Sequence, residues 1–371
     1  MRKIKDTGNF IRKMGLNIMN DYTEIIKSIR ALAQGKQPDL NISKLLYEHN
    51  CFYFLSKIRE QDEYTQKSKT ELQLNQICIK ERYISCRPVF EMLENMSVSY
   101  AVIKGAVLSK TAYGDINVRK SGDIDLLIRR DDIDSVKKLM LQNGFIQGRV
   151  TDAGLVPFTR QELIFQTGLS HQAAPFIRKG SNSVCPYINV DVNMDILWGE
   201  SKRQSDMEFV LSQTENIDIC GVSVQKLTPV VEFISLCLHH YKDMNSVYLL
   251  AERSLKLGLF CDIYFYLRNN NLEITELKDV FEKLNVTEYI YYCIYYANKV
   301  FNDEIFHSYL IALKNEKTKD ILNAFGLDDH ERKSWYIPFE ERLFNENFKN
   351  KFMALLDEND KEKIRLNTLL F

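Results

Sequence analysis

The chain has 371 residues, 45% hydrophobic and 27% charged, a balance that suits two or three folded domains and excludes general disorder. Lys and Arg total 49 against 50 for Asp and Glu, a formal net charge of −1, so no sequence-wide positive field exists to hold a long nucleic acid by counterion release. The eight cysteines are scattered without a CxxC pair, and several sit in apolar stretches. They read as free thiols of a reducing, cytoplasmic setting, not as a disulfide framework or zinc knuckle.

The opening MRKIKDTGNFIRKMGLNIMNDY is basic and carries no apolar core of signal-peptide length; it reads as a solvated leader. No run approaches the roughly 18 apolar residues of a membrane span. From Asp21 to Met96, apolar residues recur every three or four positions with almost no glycine, which predicts three or four helices within an N-terminal helical region, 1–96. The texture changes at Ser97. SYAVIKG predicts a short strand ending in Lys-Gly, AVLSKTAYG a helix and DIDLLIRR a second strand. DDIDSVKKLMLQNGF predicts a further helix that stops at Gly144. From Phe145 to Trp198 strands are favoured, and the run Ile188–Ile196 alternates strictly, with Asn189, Asp191, Asn193 and Asp195 on its polar face. Thr228-Pro229 marks a helix start, after which helical periodicity continues almost to the end. The expected class is α+β: a small mixed-sheet core, 97–226, flanked by the N-terminal helices and a C-terminal helical domain, 227–371.

The chemistry concentrates in the core. On a strand, Asp123 and Asp125 project from one face with Cα atoms roughly 6 to 7 Å apart. Two carboxylates so placed repel unless a cation sits between them, and hard oxygen donors suit Mg²⁺; an exposed face or a charge-guarded strand edge gives the same letters. Lys104, Gly105 and Ala106 close one strand and open a helix, where glycine and the free N–H groups of the helix start can meet a phosphate. Arg119 and Lys120, just ahead of Ser121, either clamp phosphate or balance the aspartates. A third carboxylate is available on the alternating strand. Asp191 and Asp195 lie about 13 Å apart along an ideal strand, so one of them joins the pair, and Asp191 is the choice; an ordinary solvated strand face is the competing explanation.

The order Tyr100-Ala-Val-Ile-Lys104-Gly105-Ala106, then Arg119-Lys-Ser-Gly-Asp123-Ile-Asp125, then Asn143-Gly144-Phe145 resembles the uncharacterised bacterial nucleotidyltransferase family of the DNA polymerase β-type superfamily. The likeness continues through Val190-Asp191-Val192-Asn193-Met194 and into the helices around His239 and Asp262. It implies a nucleotidyltransferase core with Asp123, Asp125 and Asp191 as catalytic metal ligands for two Mg²⁺ ions. Lys104, Gly105, Ala106, Arg119, Ser121, His239, Lys242 and Asp262 would then line the nucleotide side. The chain departs from the family pattern at Ala106, where Ser or Gly is usual, and at Asn193 and Met194, where His and Trp are usual.

The leading expectation is an enzyme that moves a nucleotidyl group from a nucleoside triphosphate to a hydroxyl or phosphate of a small molecule or peptide. The alternatives are a transferase that uses a sugar nucleotide on a modified peptide, and an inactive nucleotide-binding regulator. No membrane partner is expected.

Overall fold

A computed structural model describes residues 18–169, 171–199, 201, 203–327 and 331–370; of the basic leader, residues 1–17 lie outside the described residues, and Ile18–Tyr22 begin a helix. The chain divides into two compact units. The sheet unit comprises Gln66–His239 with Phe265–Val286, and the helical unit the residues up to Thr65, His240–Tyr264 and those from Thr287 onward. Both expected segment boundaries, 96/97 and 226/227, fall inside the sheet unit. The expected α+β class is observed.

Six strands make the main sheet: β1 Tyr100–Ile103, β2 Ile124–Ile128, β3 Ile146–Thr151, β4 Gly154–Pro157, β5 Phe176–Lys179 and β6 Tyr187–Asn193, in the order β1-β2-β6-β5-β3-β4. Neighbours pair antiparallel except β2 and β6, which run parallel. A hairpin of β7 Thr214–Ile219 and β8 Val222–Leu227 lies with β8 beside β1.

Strand alternation assigns the two faces of the sheet. Tyr100, Val102, Ile124, Leu126, Ile128, Ile188, Val190 and Val192 are buried in one apolar core. Tyr83, Cys86, Phe90 and Leu93 of the long helix Glu63–Asn95 join them there, with Val136 and Leu139 of helix Ile133–Gln142. Phe90 stacks on Tyr100 with centroids 6.0 Å apart. Asp125, Asp191 and Asn193 therefore fall on the opposite face.

Between Asp21 and Met96 the described residues hold four helices, Ile18–Ala33, Ser43–Glu48, Phe52–Lys57 and Glu63–Asn95, at the upper end of the expected number. Two expectations for the core need correction. Arg160–Leu169 is a helix inside the stretch read as strands, because Thr159 and Glu162 form a reciprocal cap: Thr159 N–H donates to Glu162 Oε2 at 2.7 Å and Glu162 N–H to Thr159 Oγ1 at 3.3 Å. The alternating strand stops at Asn193, short of Ile196. There Asp195 turns the chain, its carboxylate accepting the N–H of Leu197 at 2.8 Å and of Ser205 at 3.1 Å. Pro229 is the first residue of helix Pro229–Asn245, as expected.

The helical unit is held by aromatic side chains. Tyr264 stacks on Phe301 at 4.2 Å. Buried Arg342 lies against the rings of Tyr296, Trp335 and Phe339 and donates to the Tyr296 hydroxyl at 3.0 Å. All eight cysteines are free, and among the described residues no helix is long and apolar enough to cross a membrane.

One ionisable contact makes the helical unit sensitive to acid. His49 Nδ1 accepts the N–H of Leu257 at 3.0 Å, which requires that nitrogen to be unprotonated. Burial, and secondarily the Lys256 ammonium, push the His49 pKa down from 6.5 to about 3. A group depressed in the folded state is protonated first in the unfolded chain, so its contribution is complete above pH 6.5 and is lost as pH falls toward 3. Urea unfolding at pH 7 and pH 5 should show a loss in wild type exceeding that in His49→Asn by up to about 2 kcal/mol. The half-buried residue keeps some solvent, so this is a ceiling. Equal losses in the two proteins would remove His49 as the cause.

Candidate active site

The site forms where β1 gives way to a helix and where β2 meets β6. Lys104 has φ +56° and ψ −148°, and Gly105 has φ +46°. Two consecutive residues thus hold left-handed φ values at the junction, a conformation that glycine accepts freely and lysine only under strain. A Cβ at Gly105 would stand 3.0 Å from Ser121 Oγ, so a side chain there would be strained by its φ and would press on Ser121. No side chain caps the helix Gly105–Tyr113, which leaves its first N–H groups able to receive an anion. The Ala106 methyl is packed in the apolar core, so this position offers its backbone only.

Asp125 lies inside β2, between β1 and β6, and is 7% exposed. This excludes the strand-edge explanation for the acidic pair. The register places Asp125 against Ile103 on one side and against Asp191 on the other, and Asp123 sits immediately before the strand. The three carboxylates share one electrostatic neighbourhood. Burial raises the pKa of Asp123, helped by the charge of Asp125 and opposed by Lys104, Arg82 and Arg119. Burial raises Asp191 from 3.8 to about 7, helped by Asp123 and Asp125 and opposed by Lys104 and a hydrogen bond from Asn189.

The neutralising groups are close. Lys104 Nζ lies 2.8 Å from Asp125 Oδ1, which also accepts from buried Asn193 Nδ2 at 3.3 Å. Asn189 Nδ2 donates to Asp191 Oδ1 at 3.3 Å. Among the described residues, no three His, Cys, Asp or Glu side chains converge on one ion-sized position; the Lys104 ammonium supplies the positive charge that Asp125 faces. The donor set of Asp123, Asp125 and Asp191 is all carboxylate oxygen, which by its chemistry fits a hard divalent cation.

Ser121 is fully engaged. Its N–H donates to Asn75 Oδ1 at 3.0 Å, its carbonyl accepts from Arg82 Nη1 at 3.0 Å, and its hydroxyl donates to the Asp123 carbonyl at 3.2 Å. The carbonyl of Arg119 accepts from Asn75 Nδ2 at 3.1 Å, and Lys120 pairs with Glu71 at 3.0 Å. Asn75 and Arg82 are contacts that sequence reasoning missed. Their one signal is the helical spacing of Glu71, Asn75, Cys78 and Arg82 along a single stripe.

Asp195 lies in the turn after β6, where its carboxylate accepts the backbone N–H groups of Leu197 and Ser205. His239 is half-buried on helix Pro229–Asn245 in the sheet unit. Lys242 and Asp262 belong to the helical unit, where buried Asp262 lies 3.2 Å from His240 Nε2.

Residues 42–302 match the model of a family described as "Uncharacterised nucleotidyltransferase". A similar solved structure is an antigenic nucleotidyltransferase-like protein from Paracoccidioides brasiliensis, 16% identical, with a TM-score of 0.33, covering 60% of this chain and 97% of that one. No curated protein matches the chain. Since the family model spans well over half of the sequence, the chain belongs to the uncharacterised nucleotidyltransferase family, and it is a nucleotidyltransferase.

Proposed function

We propose that this nucleotidyltransferase is Mg²⁺-dependent and moves a nucleotidyl group from a nucleoside triphosphate to a hydroxyl or phosphate of a small-molecule or peptide acceptor, on the architecture of the polymerase β-type superfamily. The observation that carries the reading is the pairing of Asp125 with Asp191 across parallel strands, with Asp123 two residues ahead of Asp125 and the Lys104-Gly105 turn beside them.

In this reading Asp123, Asp125 and Asp191 would together hold two Mg²⁺ ions. When bound, the metal supplies charge neutralisation across the phosphates and acidifies the acceptor hydroxyl. The remaining work belongs to the chain. The Gly105 turn brings backbone N–H groups to the phosphates, and Arg119 adds a guanidinium. Lys104 exchanges Asp125 for phosphate and follows the negative charge as it moves onto the leaving pyrophosphate. Asp191 receives the proton that the acceptor loses.

A second reading, nucleotide binding without turnover, is favoured by one observation: Lys104 already satisfies Asp125. Release of pyrophosphate from one of the four nucleoside triphosphates, in the presence of Mg²⁺ and candidate acceptors, separates the two readings.

Two outcomes are expected. Asp125→Asn should abolish the Mg²⁺-dependent rise in melting temperature caused by nucleotide while melting stays cooperative, since only ligand bound to the folded state stabilises it. A retained shift would remove the metal assignment. Asp191→Ala should lose turnover by at least roughly a hundredfold with little change in melting, whereas Asp195→Ala, which deletes two backbone contacts in a turn, should lower stability by about 1–2 kcal/mol and keep turnover. The reverse order would transfer the third-carboxylate role to Asp195.

A further inference from the structure

The segments that lead into the two acidic strands are held by the same helix. On Glu63–Asn95, Asn75 bonds the Arg119 carbonyl and the Ser121 N–H, and Arg82 bonds the Ser121 carbonyl. On the same helix, Glu81 accepts the Ser181 N–H at 2.9 Å and the Asn182 side chain at 3.2 Å, and the Cys78 thiol donates to the Val184 carbonyl at 3.2 Å. The first segment enters β2 with Asp123 and Asp125. The second enters β6 with Asp191.

These contacts are of the kind that fixes position. Asn75 and Arg82 are 5% and 7% exposed, so their hydrogen bonds face little competition from water. Both bind backbone atoms, which leaves the segment no rotamer through which to escape. Ser121 then passes the constraint on: its hydroxyl holds the Asp123 carbonyl and also lies against Gly105, where a Cβ would meet it at 3.0 Å. The exposed Lys120–Glu71 pair on the same stripe adds little energy.

We propose that Asn75 and Arg82 are positioning residues of the transferase site, using the long helix as a template that fixes Asp123 and the Gly105 turn relative to Asp191. The inference rests on the metal-dependent reading given above. Groups that orient metal-binding carboxylates without touching the metal typically change its affinity 10- to 100-fold when removed, and small displacements of reacting groups are costly in rate.

The test uses the full chain with Mn²⁺ as the metal probe, titrated by electron paramagnetic resonance in the presence of nucleoside triphosphate, together with hydrogen exchange of residues 117–125. Asn75→Ala should speed exchange of the Ser121 amide and weaken Mn²⁺ roughly 10-fold or more. Asn75→Asp, which keeps the acceptor for Ser121 and loses the donor to Arg119, should fall between wild type and Asn75→Ala and guards against a fold defect. Arg82→Lys should bind Mn²⁺ markedly tighter than Arg82→Met. Leu74→Ala, on the exposed side of the helix, should change neither readout. Faster exchange with unchanged Mn²⁺ affinity, or equal affinities in the two Arg82 variants, would overturn the inference and leave the carboxylate reading standing. Failure of the wild type itself to bind Mn²⁺ would overturn both.

Discussion

Parallel pairing of β2 with β6 sets Asp125 against Asp191, and much of the sheet unit answers the crowding of negative charge that follows. Like carboxylates at neighbouring register positions are unfavourable, so the strands must be held together by something else. That something is the opposite face, where Ile124, Leu126, Val190 and Val192 are buried in a continuous apolar core. A slip of one residue would turn those aliphatics out and drive Asp125 into the core. The hydrophobic pattern therefore enforces an electrostatic arrangement that the strands would not choose by themselves. Lys104, Asn189 and Asn193 then temper it locally.

Lys104 links this crowding to the strained turn. Its φ of +56° is a conformation in which a lysine costs on the order of 1–3 kcal/mol, yet it directly follows Ile103, the β1 residue that faces Asp125. The ammonium contact with Asp125 helps to hold it there. Gly105 suits the next position because its φ of +46° strains any side chain and a Cβ there would press on the Ser121 hydroxyl. The turn and the acidic strands are thus one mechanical object, joined through Ser121 and backed by the long helix.

The sequence displayed this arrangement unevenly. Local signals were strong where a pattern and its consequence lie within a few residues: the Lys-Gly break after β1, Gly144 at its helix end and Pro229 at the next start appear as read, whereas of the Asp-x-Asp triplet's two aspartates only Asp125 lies on the strand and Asp123 just precedes it. The alternation from Ile188 to Ile196 was misleading past Asn193, because a period of two says nothing about when an aspartate will turn to cap backbone N–H groups. The Thr159–Glu162 cap was written in the sequence and was outweighed by nearby strand-favouring residues. What could not be read were hydrogen bonds from a helix side chain to backbone far along the chain. Asn75 and Arg82 stand some forty residues before the segment that they hold, and an amide or guanidinium on a charged helix looks like any solvated face. For the same reason the boundary at residue 96 followed a change in local texture, while the packing unit begins at Gln66.

Asn193 shows how a departure from the family pattern can be read as chemistry. The resemblance implies histidine there, and a histidine beside Asp125 would add a group that titrates near neutral pH to a cluster already crowded with charge. An asparagine donates a comparable hydrogen bond to Asp125 but carries no proton to lose. The donor then does not titrate, and Lys104 supplies the cation that Asp125 contacts. Met194, where tryptophan is usual, is packed in the apolar core beneath β6, so it supports the strand from behind and offers nothing to a ligand on the acidic face. The two departures thus act on opposite faces of one strand: the first simplifies the electrostatics of the site, and the second changes only its support.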